Sequence, residues 1–276
     1  MLNEMMIKDI IKRALLEDIG TGDITTISTV PEDKQITGSF LAKEDGILCG
    51  LGVVRAVFAE IDSTVSLITA FKDGDKLKKG EVFAKVKGNA RSILSGERVA
   101  LNFMQRMSGI ATYSNKIQAE LAGYKTRILD TRKTTPGLRV IEKYAVRIGG
   151  AYNHRYNLSD GVLIKDNHIE ASGGITAAVN NARKVIPHTL KIEVEVKNFD
   201  EVKEALSVGA DILMLDNMSV AEMAEAIKMI NGRALVEASG NMDQKPIKEV
   251  AAAGVDFISL GALTHSVKAL DISLKF

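Results

Sequence analysis

The feature that most constrains the fold is a regular alternation of short strands and helices after Lys125. The predicted strands are TRILD, GVLIK, KIEVEV, DILMLD, ALVEAS and FISLG, and helical segments follow nearly all of them. This alternation is typical of parallel strands joined by crossover helices, either in a barrel or in a doubly wound sheet. No G-x-G-x-x-G sequence follows the first strand, which disfavours a dinucleotide-binding sheet. We therefore predict an α/β barrel.

The region before Lys125 has a different pattern. QITGSFLAKEDGILCG and STVSLITA read as strands around an apolar helix, LGVVRAVFAEI, and the next stretch, KDGDKLKKGEVFAKVKG, has Gly-Asp turns. The turns resemble part of a lipoyl or biotinyl carrier fold, but the turn that bears the modified lysine is missing. Residues 90–121 have a helical pattern that we expect to break near Gly109, because an interior glycine costs roughly 1 kcal/mol. The first twenty residues predict an amphipathic helix.

Composition excludes several classes of protein. The chain has 276 residues, of which 46% are hydrophobic, and this is enough for a sizeable core in one or two domains. Its formal net charge of +1 does not attract nucleic acid or membranes, so any cationic site must be local. The single cysteine, Cys49, excludes a disulfide framework and a thiolate zinc site. No apolar run approaches the ~18 residues of a membrane span. We predict a soluble cytoplasmic protein without nucleic-acid or membrane partners.

Polar residues follow the predicted strands, where α/β barrels build their active sites. In KIEVEVK we expect Ile192, Val194 and Val196 to face the helices, whereas Lys191, Glu193, Glu195 and Lys197 line the interior. Charged side chains in the interior must pair with opposite charges or take part in binding or catalysis, because burying an unpaired charge is costly. Any one of them could serve structure alone, but charges at successive strand ends favour a site. The full set is Asp130, Arg132, Lys133, Lys165, Asp166, Glu195, Lys197, Asp216, Asn217, Glu237, Ser239 and Gly261.

Cations are concentrated in one part of the chain. Between Lys125 and His168 there are nine Lys or Arg residues against four Asp or Glu. Arginine grips carboxylates with two hydrogen bonds, and lysine is a compact counter-charge for phosphate. The pattern predicts an anion site, called the anion cup below, made of Arg132, Lys133, His154, Arg155 and Lys165.

Two further features fit a phosphorylated ligand. The loops EASGNMD and ISLGALTHSV follow the last two strands, where barrels often bind phosphate through loop amides. They offer Ser239, Gly240, Asn241 and Gly261. Glu195 and Asp216 are carboxylates in a cationic site. They could bind Mg²⁺ on a polyphosphate, hold ribose hydroxyls, or offset positive charge that develops at a sugar carbon.

Seven motifs, in order along the chain, resemble the quinolinate phosphoribosyltransferase family of NAD biosynthesis. The resemblance covers nearly the whole chain and rests on EDIGTGDITT (17–26), SGERVALNFMQRMSGIAT (95–112), LDTRKTTPGLR (129–139), NHRYNLSDGVLIKDNHI (153–169), EVEV (193–196), LDN (215–217) and EASGN (237–241).

The resemblance implies an α/β fold of two domains. These are an N-terminal α/β sandwich domain over residues 1–110 and an incomplete, seven-stranded α/β barrel over residues 111–269. Independently of the resemblance, the last stretch, DISLKF, suggests an extra strand within 270–276 that could return to the first domain. Only six barrel strands are predicted above, so a seventh is expected near Arg147 to Tyr152.

The same resemblance implies a reaction. Quinolinate and phosphoribosyl pyrophosphate, with Mg²⁺, give nicotinate mononucleotide, pyrophosphate and carbon dioxide in a homodimer or larger homo-oligomer with shared sites. Arg98 would reach quinolinate across the dimer interface. It would join Arg132, His154, Arg155 and Lys165. Lys133 and Lys165 would also steady the pyrophosphate, Glu195 and Asp216 would face the ribose and the metal, and Ser239, Gly240, Asn241 and Gly261 would hold the 5′-phosphate. Lys133, Lys165, Glu195 and Asp216 would form the catalytic set.

Three alternatives remain open at this point. One is a paralogue linked to molybdenum transport, which would use another substrate. Another is a Schiff-base aldolase with Lys133 or Lys165 as its nucleophile. The third is a non-catalytic anion-binding protein, in which Glu195 and Asp216 would have no evident purpose.

Overall fold

The computed structural model describes residue 2 and residues 4–276, which divide into two compact units. Unit one is the chain up to Lys116 together with Thr134–Gly150 and Leu263–Phe276. Unit two is Ile117–Lys133 together with Ala151–Ala262. The predicted domain limits, 1–110 and 111–269, stay a prediction.

Unit one is built around a small antiparallel sheet. Four strands lie in the order β12-β1-β5-β3, and β2 pairs with β4 beside them. The elements, in chain order, are α1 (Glu4–Ile19), α2 (Ile24–Thr29), β1 (Gln35–Ala42), β2 (Gly46–Ile47), α3 (Leu51–Ile61), β3 (Ser66–Ile68), β4 (Lys76–Leu77), β5 (Val82–Asn89), α4 (Ala90–Glu120), α5 (Arg139–Ile148), α11 (Ala262–His265) and β12 (Ile272–Lys275), of which α4 and α11 each have an end in unit two.

Aromatic and aliphatic side chains fill the core of this unit. Phe40 and Phe83, on the paired strands β1 and β5, are buried with their ring centroids 6.0 Å apart. Phe58 on α3 is also buried. The final strand, β12, pairs antiparallel with β1, so the end of the chain completes this sheet.

The first helix is amphipathic, as its sequence predicts. Ile7, Ile11 and Leu15 are buried, while Met5 and Leu16 are exposed. Spacings of four residues put the buried side chains on one face of α1. Across the part of the chain that the structure describes, no helix combines the length and the apolarity that crossing a membrane would require.

Helix α4 runs unbroken from Ala90 to Glu120, so the predicted break at Gly109 is wrong. Gly109 instead allows another segment of backbone to approach the helix closely. A Cβ atom at this position would collide with the carbonyl oxygen of Lys268 and come within 3.0 Å of the Cα atom of Ala269. The amide of Leu270 donates a hydrogen bond to the carbonyl of Gln105, one turn earlier on α4, at 2.9 Å. Gly109 therefore lets the segment before β12 lie against the helix.

Unit two contains a six-stranded parallel sheet with helices between its strands. The strands lie in the order β6-β11-β10-β9-β8-β7, and all the pairings are parallel. The elements are β6 (Arg127–Leu129), β7 (Val162–Ile164), α6 (Asp166–Ser172), α7 (Ile175–Val185), β8 (Ile192–Val196), α8 (Phe199–Ser207), β9 (Ile212–Asp216), α9 (Val220–Ile230), β10 (Leu235–Ser239), a short 3-10 helix (Met242–Gln244), α10 (Ile247–Ala252) and β11 (Phe257–Ser259).

All six predicted barrel strands are confirmed. A single bridging residue stands in the range where the seventh strand was expected. Tyr152 makes an isolated parallel bridge to Leu129 at the outer side of β6, inside the range where a missing strand was expected. The inner and outer faces of β8 also agree with its sequence pattern, since Ile192, Val194 and Val196 are fully buried. The strands at the two ends of the sheet order, β6 and β7, are thus not joined by a full strand, and the barrel is incomplete.

We expect Gly109→Ala to lower the free energy of unfolding by about 1–2 kcal/mol, although alanine is the better helix former. The added methyl group must displace backbone, which cannot rotate away as a side chain can. Urea unfolding followed by circular dichroism measures the change.

Gly52→Ala is the matched control. Gly52 also lies in a helix, but a Cβ atom there has nothing within 4 Å, so its stability should not fall. Equal stability of the two variants would contradict the close approach.

Candidate active site

The carboxyl ends of the parallel strands bring distant polar residues to one edge of unit two. Asp216 ends β9 and Ser239 ends β10, and the two are register partners. Lys165 directly follows β7, and Lys197 directly follows β8. Parallel strands end on the same side of a sheet, so residues far apart in the sequence meet there.

Asp130, directly after β6, organises the loop that carries His154 and Arg155. Its side chain is fully buried and accepts hydrogen bonds from Asn153 Nδ2 at 2.6 Å and from the backbone amide of His154 at 2.8 Å. The Asp130 amide donates to the carbonyl of Tyr152 at 3.0 Å. A buried carboxylate with several donors holds its partners in one geometry. The start of the NHR motif is thereby fixed to the end of β6.

Two arginines of the predicted anion cup, Arg132 and Arg155, influence each other electrostatically. The Arg155 side chain donates through Nη1 to the carbonyl of Gly161 at 2.9 Å. Burial lowers the pKa of Arg155, and the positive charge of Arg132 lowers it further, against the opposing effect of Glu193. Like charges held side by side repel each other unless an anion lies between them. Arg132 and its neighbour Lys133 are exposed, so a ligand can reach them.

Carboxylates lie next to the cations on the same edge. Lys165 Nζ is 3.5 Å from Glu195 Oε2, and Lys197 Nζ is 2.9 Å from Asp166 Oδ2. Burial raises the pKa of Glu195, Lys165 opposes this, and Asp216 and Asp166 raise it further. Carboxylate oxygens are the ligands that Mg²⁺ prefers, so Glu195 and Asp216 suit a hard cation.

The loops after β9 and β10 approach each other closely. Gly240 has φ 87°, and Asn217 and Asn241 have φ 56° and 50°. A Cβ atom on Gly240 would collide with Asn217 Oδ1, while Asn241 Nδ2 donates to that same oxygen at 3.3 Å. Left-handed backbone turns its amides into a concave surface that suits phosphate. Gly261, the remaining predicted phosphate residue, follows β11 and precedes α11.

The structure brings together two residues to which the sequence analysis gave no binding or catalytic role. Glu193 and Glu237 are 4% and 2% exposed and lie with His154 inside unit two. His154 Nε2 is 3.1 Å from Glu193 Oε2 and 3.7 Å from Glu237 Oε2. Burial raises the pKa of Glu237 well above its usual range, and the negative charge of Glu193 adds to this. The sequence could have indicated this pair, because both glutamates lie on predicted strands at positions that face the interior.

Arg98 does not belong to the same unit of the chain as these residues. It belongs to unit one, where it is exposed on α4. The other predicted site residues all belong to unit two.

A buried ion pair in unit one holds the segment that follows Lys133. Arg106 donates to Glu142 Oε1 through Nε at 2.8 Å and to Thr135 Oγ1 through Nη2 at 2.6 Å. Glu142 is fully buried, and its other oxygen accepts from the Thr135 amide at 3.1 Å. The threonines and the Pro-Gly turn after Lys133 are therefore tied to α4 and α5.

We expect Gly240→Ala to lower the free energy of unfolding by about 1–3 kcal/mol, because it adds a methyl group at a left-handed residue and against Asn217. Chemical unfolding provides the measurement. Gly161→Ala in the same unit is the control, since a Cβ atom at Gly161 has nothing within 4 Å. If both variants unfold like the unsubstituted protein, the tight loop contact is wrong.

Comparisons with known proteins agree with this arrangement. Two family models match, described as the C-terminal and N-terminal domains of quinolinate phosphoribosyl transferase, over residues 110–275 and 23–108. A Bacillus subtilis relative named probable nicotinate-nucleotide pyrophosphorylase (carboxylating) is 45% identical over 99% of this chain and 94% of its own length. An Arabidopsis thaliana relative, a chloroplastic nicotinate-nucleotide pyrophosphorylase (carboxylating), is 47% identical over 98% of this chain and 82% of its own.

Solved structures share the fold as well as the sequence. NadC from Streptococcus pyogenes is 44% identical and superposes with a TM-score of 0.96, covering 100% of this chain and 98% of that one. The nicotinate-nucleotide pyrophosphorylase from Francisella tularensis is 42% identical with a TM-score of 0.94, covering 100% of this chain and 97% of that one. The chain therefore belongs to the quinolinate phosphoribosyltransferase family.

Proposed function

We propose that this protein transfers the phosphoribosyl group of phosphoribosyl pyrophosphate to quinolinate with decarboxylation, giving nicotinate mononucleotide, pyrophosphate and carbon dioxide for NAD biosynthesis. The observation that carries the proposal is the meeting of cations and carboxylates at one sheet edge: Lys165 Nζ is 3.5 Å from Glu195 Oε2, and Asp216 ends β9 in register with Ser239. Quinolinate has two adjacent carboxylates, and its partner carries phosphate and pyrophosphate. Names of the relatives support the same reaction.

The anion cup would bind quinolinate. Arg132 and Arg155 each offer a planar fork that fits a carboxylate through two hydrogen bonds. Lys165 adds a mobile positive charge at the same edge. His154 has both ring nitrogens engaged, to Glu193 and to the Arg155 amide, so it would orient Arg155 and the substrate ring.

Phosphoribosyl pyrophosphate would lie across the strand ends. Backbone amides of the segment Ser239 to Asn241, with Gly261, would hold the 5′-phosphate. Lys133 and Lys165 would balance the charge of the pyrophosphate. Glu195 and Asp216 would accept hydrogen bonds from the ribose hydroxyls.

Mg²⁺ fits the donor set of this edge. Glu195 and Asp216 offer the carboxylate oxygens that this ion prefers, either directly or through its water ligands. When bound, Mg²⁺ would neutralise part of the charge on the pyrophosphate leaving group. Lys165, 3.5 Å from Glu195, would keep that carboxylate oriented.

The residues would act by position and charge rather than by covalent chemistry. Pyrophosphate would leave as the quinolinate nitrogen approaches, through a state with positive charge on the sugar carbon, and Glu195 and Asp216 would face the ribose and stabilise that charge. Correct alignment of two bound substrates can contribute about 7 kcal/mol or more. The positively charged pyridine ring then stabilises the carbanion formed as carbon dioxide leaves, and a proton from water or a nearby cationic group would complete nicotinate mononucleotide.

The direct test is a reaction with quinolinate, phosphoribosyl pyrophosphate and Mg²⁺. We expect equal amounts of nicotinate mononucleotide and carbon dioxide, and no product when nicotinate replaces quinolinate. Excess EDTA should stop the reaction and added Mg²⁺ should restore it. A folded protein that is silent with quinolinate would overturn the proposal and favour the paralogue with another substrate.

We also propose a homodimer, or a larger homo-oligomer, in which Arg98 serves the site of the neighbouring subunit. Arg98→Ala and Lys165→Ala should each be inactive alone, because each removes a cation that binds substrate. Refolding the two variants together should restore about a quarter of wild-type activity, since half of the dimers are mixed and each has one intact site of two.

The control is refolding of Lys165→Ala with Lys133→Ala, both of which change the same unit. This mixture should stay inactive if the barrel site is made within one chain. Activity in the control mixture, or none in the Arg98 mixture, would contradict the shared site.

We place the protein in the cytoplasm. Cys49 is buried and burial raises its pKa, so this thiol has no evident oxidative role. Several plant relatives carry chloroplastic or mitochondrial names. Fractionation of the source cells followed by immunoblotting tests the assignment.

A further inference from the structure

Glu193 and Glu237 form a buried acidic pair beneath the anion cup. Glu193 lies on β8 and Glu237 on β10, and each has one carboxyl oxygen, Oε1, that is buried without a hydrogen-bond partner. Among the described residues, the one basic group within ion-pair distance of either carboxyl group is His154. Two ionised carboxylates in this position would be strongly unfavourable without a compensating charge.

His154 does not supply that charge. The amide of Arg155 donates to His154 Nδ1 at 2.8 Å, which makes this nitrogen an acceptor. The other nitrogen, Nε2, is 3.1 Å from Glu193 Oε2 and must carry the ring proton to make a hydrogen bond there. A histidine that accepts at one nitrogen and donates at the other is the neutral tautomer. The pair therefore needs a proton of its own.

The surroundings of the two carboxyl groups favour a proton on Glu237 rather than on Glu193. Glu193 already accepts a hydrogen bond from His154, which suits an ionised carboxylate. Glu237 is farther from the histidine and is the more deeply buried of the two. One carboxyl oxygen of Glu193 lies within 4.8 Å of one of Glu237, and burial and this neighbouring charge both raise the pKa of Glu237.

We propose that Glu237 stays protonated in the working enzyme and donates a hydrogen bond to Glu193, which holds His154 and limits the acidic pair to a single negative charge. Glu237 is then a positioning residue: it touches no substrate, but it keeps the net charge of the anion cup positive. The inference rests on the proposed function, because it is the binding of a dicarboxylate that a second negative charge would oppose.

The groups that face Glu237 come from several elements. Glu193 faces it from β8, and His154 Nε2 is 3.7 Å from its Oε2. Ser259, on the neighbouring strand β11, opposes the rise of its pKa. Lys165, after β7, acts from a longer distance and opposes the rise of its pKa. Met214, its register partner on β9, is apolar. Glu193 is the one carboxylate in this set, so a charge on Glu237 would be added to a charge already present.

Binding of quinolinate as a function of pH tests the proposal. Calorimetry in the absence of phosphoribosyl pyrophosphate, from about pH 6.5 to about pH 9, keeps both carboxyl groups of quinolinate ionised. Above the pKa of Glu237, affinity of the wild type should fall by up to about tenfold per pH unit, because Glu237 must regain its proton for the ligand to bind. Glu237→Gln, which is neutral at every pH, should bind at neutral pH with an affinity near that of the wild type and lose this decline.

Glu193→Gln is the matched control. It makes the same chemical change in the same pair but removes the ionised acceptor of His154. It should weaken binding across the whole pH range. An alkaline decline in Glu237→Gln equal to that of the wild type would overturn the proposal.

Stability gives a readout that does not depend on substrate. A carboxyl group whose pKa is raised by folding binds more protons in the folded state than in the unfolded state. The contribution of Glu237 to the stability of the wild type therefore falls as pH rises from the unfolded pKa, about 4.3, toward the folded value. The melting temperature of Glu237→Gln relative to the wild type should rise over that interval. A constant difference between the two proteins would mean that Glu237 is not protonated by folding.

Two measurements on the unsubstituted protein complete the test. Infrared spectra of protein labelled with carbon-13 glutamate should show a protonated carboxyl band at neutral pH, and absence of this band overturns the proposal even if Glu237→Gln does not fold. Elemental analysis should find no bound metal in stoichiometric amount; a metal that is removed by EDTA with loss of stability would mean that an ion compensates the pair. If the enzyme assay fails while the infrared and melting results hold, the proposed function is wrong but the protonated Glu237 stands.

Discussion

Parallel pairing of the strands in unit two is the interaction on which the rest of the site depends. Residues separated by more than half of the unit, such as Asp130 and Ser239, come to the same edge only because their strands run in one direction. The burial of Ile192, Val194 and Val196 against the helices keeps this pairing in register. A slip of one residue in β8 would move its glutamates from the interior to the helix side. The charge arrangement is thus a consequence of apolar packing.

Charge is layered by depth in this unit. Arg132, Arg155 and Lys165 are at the edge, the carboxylate of Glu195 is just beneath them, and Glu237 is the most deeply buried. Each layer is compensated differently. A bound anion would balance the cations at the edge, Lys165 pairs with Glu195, and a proton would neutralise Glu237. A site for a highly charged substrate therefore has a nearly balanced interior, and its positive charge is concentrated where the substrate enters.

Sequence patterns predicted the six strands, most of the helices and the grouping of polar residues at strand ends, because these depend on local periodicity and on the geometry of parallel strands. They failed at Gly109, since the backbone that approaches it lies near Lys268 and no local pattern records that contact. The seventh strand was missed because it consists of Tyr152 alone. Glu237 was noticed at a strand end, but its partnership with Glu193 depends on which strands are neighbours in the sheet. The proposed role of Arg98 depends on a second chain, which one sequence does not describe.

The electrostatic influence of Arg132 on Arg155 has a practical consequence. The positive charge of Arg132 lowers the pKa of Arg155, so binding of a small anion near both would be favourable in the absence of substrate. If the anion cup binds quinolinate as proposed, phosphate or sulfate in a buffer would compete with it. Affinities measured in such buffers would be underestimates, and the same anions would raise the melting temperature. The choice of buffer anion should therefore change the measured affinity and the melting temperature of the protein.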